Sequence, residues 1–287
     1  MAWRITRHLL TICGLVLLGG LLSATLVRFS PGFGTDEQQL DSRLNSASLQ
    51  ALHASRAHEQ HVGRFYVKYL TGIATGNLGT SHSLGQPVRT LLRDRFPVTL
   101  RLVAMGLALG WLLALALALS AAMFRIRAYN LLATAISGGL LCIPAAVLAL
   151  VSVLLNTSGY LAIALIVFPK LFTYTRNLLV KGYASPHIVT AKAKGLGEIR
   201  ILLWHVLPLC APSLLALAGV SISVALGAAI PVEALCGIAG IGDLAWQAAL
   251  SRDLPLLVNI TVLVTSVTLL ANSSADVIVH GLKFQQL

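Results

Sequence analysis

The sequence predicts an all-α membrane protein with six transmembrane helices, on three observations. Hydrophobic residues make up 56% of the chain and charged ones 11%, the apolar residues gather into runs long enough to span a bilayer, and the basic residues at both ends of the chain and in the alternate loops between runs fall on one side. At a mean hydropathy of +0.82, a chain of 287 residues would expose far larger apolar patches in water than soluble domains carry. Lipid is therefore its main solvent.

A helix needs about 20 apolar residues to cross a hydrocarbon core about 30 Å thick. The runs Leu9–Val27, Val98–Phe124, Leu131–Leu155, Tyr160–Val180, Leu207–Val232 and Leu256–Leu282 meet that requirement. The first, behind Arg4 and Arg7, has the look of a secretory signal. Its apolar run is longer than the usual h-region of about 7–15 residues and its small-residue cleavage site is poorly formed, so it reads as an uncleaved helix. The chain thus divides into residues 1–28 with the first span, an extracytoplasmic loop over 29–96, and a core of five spans over 97–287.

The long loop opens with Ser30-Pro31-Gly32-Phe33-Gly34, turn chemistry that ends the first helix. Asp36 to Leu70 reads as amphipathic helix, with Phe65, Tyr66 and Tyr69 suited to the membrane interface. Gly72, Gly76 and Gly79 return the chain to loop. The fourth run carries Lys170 and Arg176, and a charge at the bilayer centre costs about 2.5–3.5 kcal/mol on insertion scales. Either both snorkel towards the nearer face or they line a polar path.

The net charge of +11 has a topological reading rather than a nucleic-acid one. Arg4, Arg7, Arg125, Arg127, Lys181, Lys192, Lys194, Arg200 and Lys283 share one side if six spans alternate, which places both termini in the cytoplasm. The first loop is also basic, but loops of that length translocate largely regardless of charge.

Other chemistries find little support. Cys13, Cys142, Cys210 and Cys236 form no close pair, so neither a disulfide framework nor zinc is suggested. His53, His58, Glu59 and His61 lack the HExxH order and read as a solvated helix face, so no metal site is expected. Gly237-Ile238-Ala239-Gly240-Ile241-Gly242 follows no strand, and GxxxxGK[ST] occurs nowhere, so no cofactor is expected in this chain. Asp276, one turn beyond Asn272, suits hydrogen bonding between helices or, alternatively, substrate contact. No nucleophile–base pair suggests a catalytic residue.

The loop from Ser185 to Pro208 is the most specific stretch. Ser185-Pro186 is a helix start, with a capping hydroxyl and a proline fit for the first turn. Ala191, Lys192, Ala193 and Lys194 favour helix, and Gly195 is a natural stop. A second helical stretch from Glu198 re-enters the membrane at Leu207-Pro208.

This pattern resembles the cytoplasmic EAA coupling loop of ABC importer permeases: Glu-Ala-Ala, three residues, Gly, nine residues, Ile-x-Leu-Pro. Here it runs Val189-Thr190-Ala191, three residues, Gly195, nine residues, His205-Val206-Leu207-Pro208. Thr190-Ala191-Lys192-Ala193-Lys194-Gly195-Leu196 is similar to the peptide and nickel branch, with Lys for the usual Arg. The resemblance extends to Tyr66-x-x-Tyr69-Leu70, Gly76-Asn77-Leu78-Gly79-Thr80-Ser81, Pro87-Val88 and Arg95-x-Pro97-x-Thr99-Leu100. It continues through Glu233, Gly240-Ile241-Gly242, Arg252-Asp253-x-Pro255, Asn272 and Asp276. The family's C-terminal Asp-Pro-Arg is replaced by other residues, and the usual aromatic and Pro before Gly-x-Gly are lost around Cys236 and Ala239.

The resemblance implies a type I ABC importer transmembrane domain in a bacterial inner membrane, carrying peptides, nickel or another small solute. Its implied partners are a second permease, two ABC ATPase subunits that bind the ATP and Mg, and an extracytoplasmic binding protein. It also implies that Thr190, Ala191, Lys192, Ala193, Lys194, Gly195, Leu196, Glu198, His205, Leu207 and Pro208 form the ATPase-coupling loop, with Ala191, Ala193 and Gly195 packing in an ATPase groove and Lys192, Lys194 and Glu198 at its rim. Glu233, Gly240, Gly242 and Asp253 are expected at an outer gate or a docking surface for the binding protein, although a solvated loop explains the acids equally well. The rival readings are an ion-gradient transporter or channel, whose charged or broken midplane helices are scarcely seen here, and a membrane enzyme.

Overall fold

The computed structural model describes residues 14–23, 25–26, 71–72, 76–124 and 127–284. The first-span residues before Gly14, Cys13, Arg125, the loop histidines and the aromatic residues Phe65, Tyr66 and Tyr69 lie outside the described residues. Every regular element described is helical: α1 Gly14–Ser23, α2 Val88–Phe124, α3 Arg127–Cys142, α4 Ala145–Leu154, α5 Gly159–Tyr183, α6 Pro186–Ala193, α7 Glu198–Ile201, α8 Leu207–Cys236, α9 Ile241–Leu250 and α10 Leu254–Phe284. A π-helical stretch, Leu202–Val206, joins α7 to α8.

Among the described residues, four continuous helical stretches are long and apolar enough to cross a membrane: α2, α5, α7 through α8, and α10. The third apolar run departs from expectation. Instead of one straight span over Leu131–Leu155, α3 and α4 meet at an angle of 98°. The cause is Ile143-Pro144: proline cannot supply the next helical N–H, and its ring pushes the preceding residue out of the helical region. Pro144 instead sits in extended geometry (φ −58°, ψ 143°) as the N-cap of α4. At about 1.5 Å per residue, α3 and α4 are about 24 and 15 Å long, so each alone falls short of the hydrocarbon thickness.

The chain separates into two compact units. One comprises the described residues of Val98–Asp243 with those from Val267 onward. Its core is built on α5, whose Ile163, Val167, Leu171, Phe172 and Leu179 are buried together with Ile201, Val206, Ala225 and Val232. Apolar burial gives helices little reason to associate inside lipid, so close backbone approach and hydrogen bonds take over. A Cβ on Gly106 would lie 2.6 Å from Ile163 Cγ2, one on Gly182 2.9 Å from Val206 Cγ1, and one on Gly219 2.8 Å from Ala275 Cβ. Trp111 Nε1 donates to Ser221 Oγ (3.2 Å), and Asn272 Nδ2 to Ser223 Oγ (3.2 Å). Asn272 thus ties α10 to α8, whereas Asp276, the residue for which an interhelical bond was expected, is exposed.

The other unit comprises the described residues up to Pro97 with Leu244–Ser266. Its centre is a tight loop ahead of α2, closed by Ser81 N–H to Gln86 O (2.9 Å) and Val88 N–H to Gly79 O (3.0 Å). Gly76, Gly79 and Gly85 all have positive φ there, which explains the glycines in that motif.

Candidate functional site

The stretch from Ser185 to Pro208 folds as a helical turn followed by a return helix. Ser185 occupies the N-cap of α6 with extended φ and ψ, and Pro186 starts the helix. The serine hydroxyl makes no cap bond, contrary to the sequence expectation, and donates instead to Lys181 O in the last turn of α5 (3.5 Å). The stop is as expected. Gly195 is left-handed at φ +74°, its N–H bonds to Lys192 O (2.9 Å), and Leu196 N–H reaches Ala191 O (3.3 Å). Those two bonds form a Schellman cap, with Leu196 and Ala191 as its hydrophobic pair.

Burial divides the loop into two faces. Ile188 and Ala191 (4% exposed) belong to the chain's own core. The small size of Ala191 therefore serves seating of α6 on the bundle, which corrects its assignment to an ATPase groove. Val189 is 67% exposed, and Thr190, Ala193, Lys194 and Gly195 also face outward. Lys192 Nζ pairs with Glu198 Oε1 at 2.9 Å and lies 5.9 Å from the centre of the Tyr183 ring. These two residues clamp the Gly195 turn.

Beyond α7 the helix widens. Leu207 N–H bonds to Leu202 O, five residues back. Pro208 has no N–H to offer the carbonyl four residues earlier and would crowd it, so the wider turn accommodates the proline. Trp204 is 74% exposed here, whereas His205 Nδ1 is buried with no hydrogen-bond partner among the described residues. Leu207 packs on the core. The π turn explains the Leu-Pro of the motif, and its sequence signal is Pro208 itself.

At the far end of α8, three of the residues expected at an outer gate come together. Glu233 is 0% exposed. Its Oε2 accepts from Gly242 N–H (2.6 Å) and Asp243 N–H (3.3 Å), while Thr99 Oγ1 accepts from Ile241 N–H (2.7 Å). A carboxylate at a helix N-terminus meets both free N–H groups and the positive end of the dipole. Both glycines are steric requirements. A Cβ on Gly240 would collide with the Glu233 carboxylate, and one on Gly242 would come within 2.7 Å of Ile230 Cα. Gly237, left-handed at φ +65°, ends α8 and turns the chain back.

Asp253, the fourth, lies in the other unit and is 2% exposed. It caps α10 through Oδ1, which accepts from Leu256 N–H (3.1 Å), while Oδ2 accepts from Ser81 Oγ (2.6 Å), Ser83 N–H (3.0 Å) and Ser83 Oγ (2.8 Å). Asn259 Nδ2 adds a bond to Leu78 O (3.0 Å). Glu233 and Asp253 are thus buried helix caps, not solvated loop acids or exposed docking groups. Sequence reasoning assigned no role to Thr99, Ser83 or Asn259. The Thr99 and Ser81 strings did mark their places.

Three comparisons bear on this arrangement. Residues 106–283 match the family model described as binding-protein-dependent transport system inner membrane component. The chain is 26% identical over 235 residues to the oligopeptide transport system permease protein OppB of Haemophilus influenzae, covering 74% of this chain and 76% of that one. It is 25% identical over 279 residues to the dipeptide transport system permease protein DppB of Lactococcus lactis subsp. cremoris, covering 89% and 91%. Among solved structures, a chain of the MetNI methionine ABC transporter in inward facing conformations superposes with a TM-score of 0.61 at 18% identity, over 68% of this chain and 97% of that one. That likeness establishes the type I importer fold.

Proposed function

Because the chain belongs to the family of binding-protein-dependent transport system inner membrane components and is an ABC importer permease, we propose that it forms half of an ATP-driven path for peptides and receives its power stroke through α6. Permeases of this family work with an ATPase and a substrate-binding protein and are not normally catalytic themselves. In our reading the complex holds a second permease and two ATPase subunits, which bind ATP and Mg. Both termini and α6 lie on the cytoplasmic side, as the basic residues argue. Peptide as cargo rests on the names of the oligopeptide and dipeptide relatives.

One observation carries the coupling role. α6 is fixed to the bundle on one face by Ile188 and Ala191, stopped sharply at Gly195, and joined by the short turn over 194–197 to α7, which runs without a break through the π turn into the membrane helix α8. A force applied to its outward face therefore moves a membrane helix and not a slack loop. Such a device biases an equilibrium between inward-open and outward-open states when an ATPase dimer closes.

The test is reconstitution of the chain with its partner permease, ATPases and binding protein in proteoliposomes. We expect peptide to stimulate ATP hydrolysis and to accumulate inside only when every component and ATP are present. Solute uptake by this chain alone, without ATP, would overturn the reading. Peptide-independent stimulation by another solute would keep the permease and change the cargo.

A further inference from the structure

We propose that the cleft between the end of α2, the first turns of α3 and the last turns of α5 is a binding site for a phosphate-bearing anion, the headgroup of an anionic phospholipid. The cleft has a volume of about 700 Å³ and a wide mouth, within the size range of sites for small ligands. Two arginines line it, Arg127 at the start of α3 and Arg176 on α5. Arg176 is half-buried, and its Nε donates to Asn130 Oδ1 (3.4 Å), which orients the guanidinium plane. No acidic residue is among the described residues lining the cleft.

Two of the neighbouring polar side chains, Thr134 and Asn130, are already engaged with the backbone, and the guanidinium N–H groups are the charged donors the cleft offers. Thr134 Oγ1 donates to Asn130 O (2.7 Å), and Asn130 Nδ2 to Ala121 O (3.4 Å). A guanidinium presents its donors in a planar fork that matches two phosphate oxygens.

The rest of the lining is apolar. Leu131 and Val180 are exposed beside the arginines, and a free ion would have no use for them. An amphiphile would, with its phosphate on the guanidinium groups and the upper part of its acyl chains against leucine and valine. The position agrees, because the cleft lies where two apolar helices end. Span ends emerge at headgroup level, and basic pockets between membrane helices are where acidic lipids bind. This site is independent of cargo and of the coupling role of α6.

Native mass spectrometry of the assembled transporter in mild detergent tests the proposal, with phosphatidylglycerol, phosphatidylcholine and inorganic phosphate titrated separately. We expect phosphatidylglycerol to bind the wild type at least tenfold more tightly than the R127Q/R176Q double variant, with phosphatidylcholine unaffected. R127Q alone, at an exposed position, should give a smaller loss in the same direction without disturbing assembly. If inorganic phosphate binds in an arginine-dependent manner and the lipid does not, the phosphate site stands and the lipid assignment fails. Equal phosphatidylglycerol affinity in the wild type and both variants, with no arginine-dependent phosphate binding, overturns the proposal.

Discussion

Gly195 allows the coupling role to be separated from simple chain geometry. At φ +74° an L-residue costs about 1–2 kcal/mol, but nothing lies within 4 Å of a Cβ built there. Substitution therefore meets no clash inside this chain. The restraints holding the turn are the two Schellman bonds, worth about 0.5–1.5 kcal/mol each, and the exposed Lys192–Glu198 pair, worth about 0.2–1 kcal/mol. Gly195→Ala offsets much of that sum and should fray the turn, lowering peptide uptake severalfold in reconstituted vesicles. Gly195→Asn, which tolerates the left-handed region, should keep more than half of wild-type uptake. Gly195→Trp adds bulk on the outward face and should abolish uptake while the protein still inserts and assembles. Undiminished uptake by the tryptophan variant would refute the coupling assignment. Equal uptake by the alanine and asparagine variants would refute the backbone argument.

Other outcomes follow from the packing. Gly240→Ala should push the Glu233 carboxylate off Gly242 N–H, now at 2.6 Å, and a lost hydrogen bond to a charged group costs about 1.5–3 kcal/mol; an unchanged thermal midpoint of the solubilised complex would contradict the cap. Lys192→Ala and Glu198→Ala, combined in a double-mutant cycle, should give a coupling of about 0.2–1 kcal/mol that fades with salt; a value above about 2 kcal/mol would mean the pair is not exposed in the working complex. Gly106→Val should overpack against Ile163 at a cost of about 1–3 kcal/mol. Adding Ile163→Ala should recover part of the lost melting temperature, and no recovery would place the clash elsewhere.

Much of this was legible because it is local. Hydropathy located α5, α8 and α10 to within a few residues, and Gly195 announced its turn because a left-handed stop needs glycine whatever surrounds it. The break at Pro144 was equally local, but the uninterrupted apolar run from Leu131 to Leu155 concealed it. Distant partners were not legible. Nothing near Asp253 in the sequence names Ser81, 172 residues away, and nothing near Glu233 says that Thr99 completes the cap of α9. Ala191 was misassigned for a related reason: a small residue reads the same whether its neighbour is another protein or its own core.

The π turn at Leu202–Val206 has a consequence for how the loop tolerates change in length. It holds one residue more than an α-helix needs over the same rise, and each α-helical residue turns the chain by about 100°. Removing one residue there would tighten the turn to α geometry and leave both the chain's reach and the direction of α6 nearly intact, whereas removing one from the α-helical part of α8 would swing α6 by about 100° around the axis of α8. A spin label on Ala193 would report that swing as a changed distance to a label on α8. A one-residue deletion in this stretch is thus absorbed by the turn, and the direction of α6 changes only when residues are added or removed in the α-helical part beyond it.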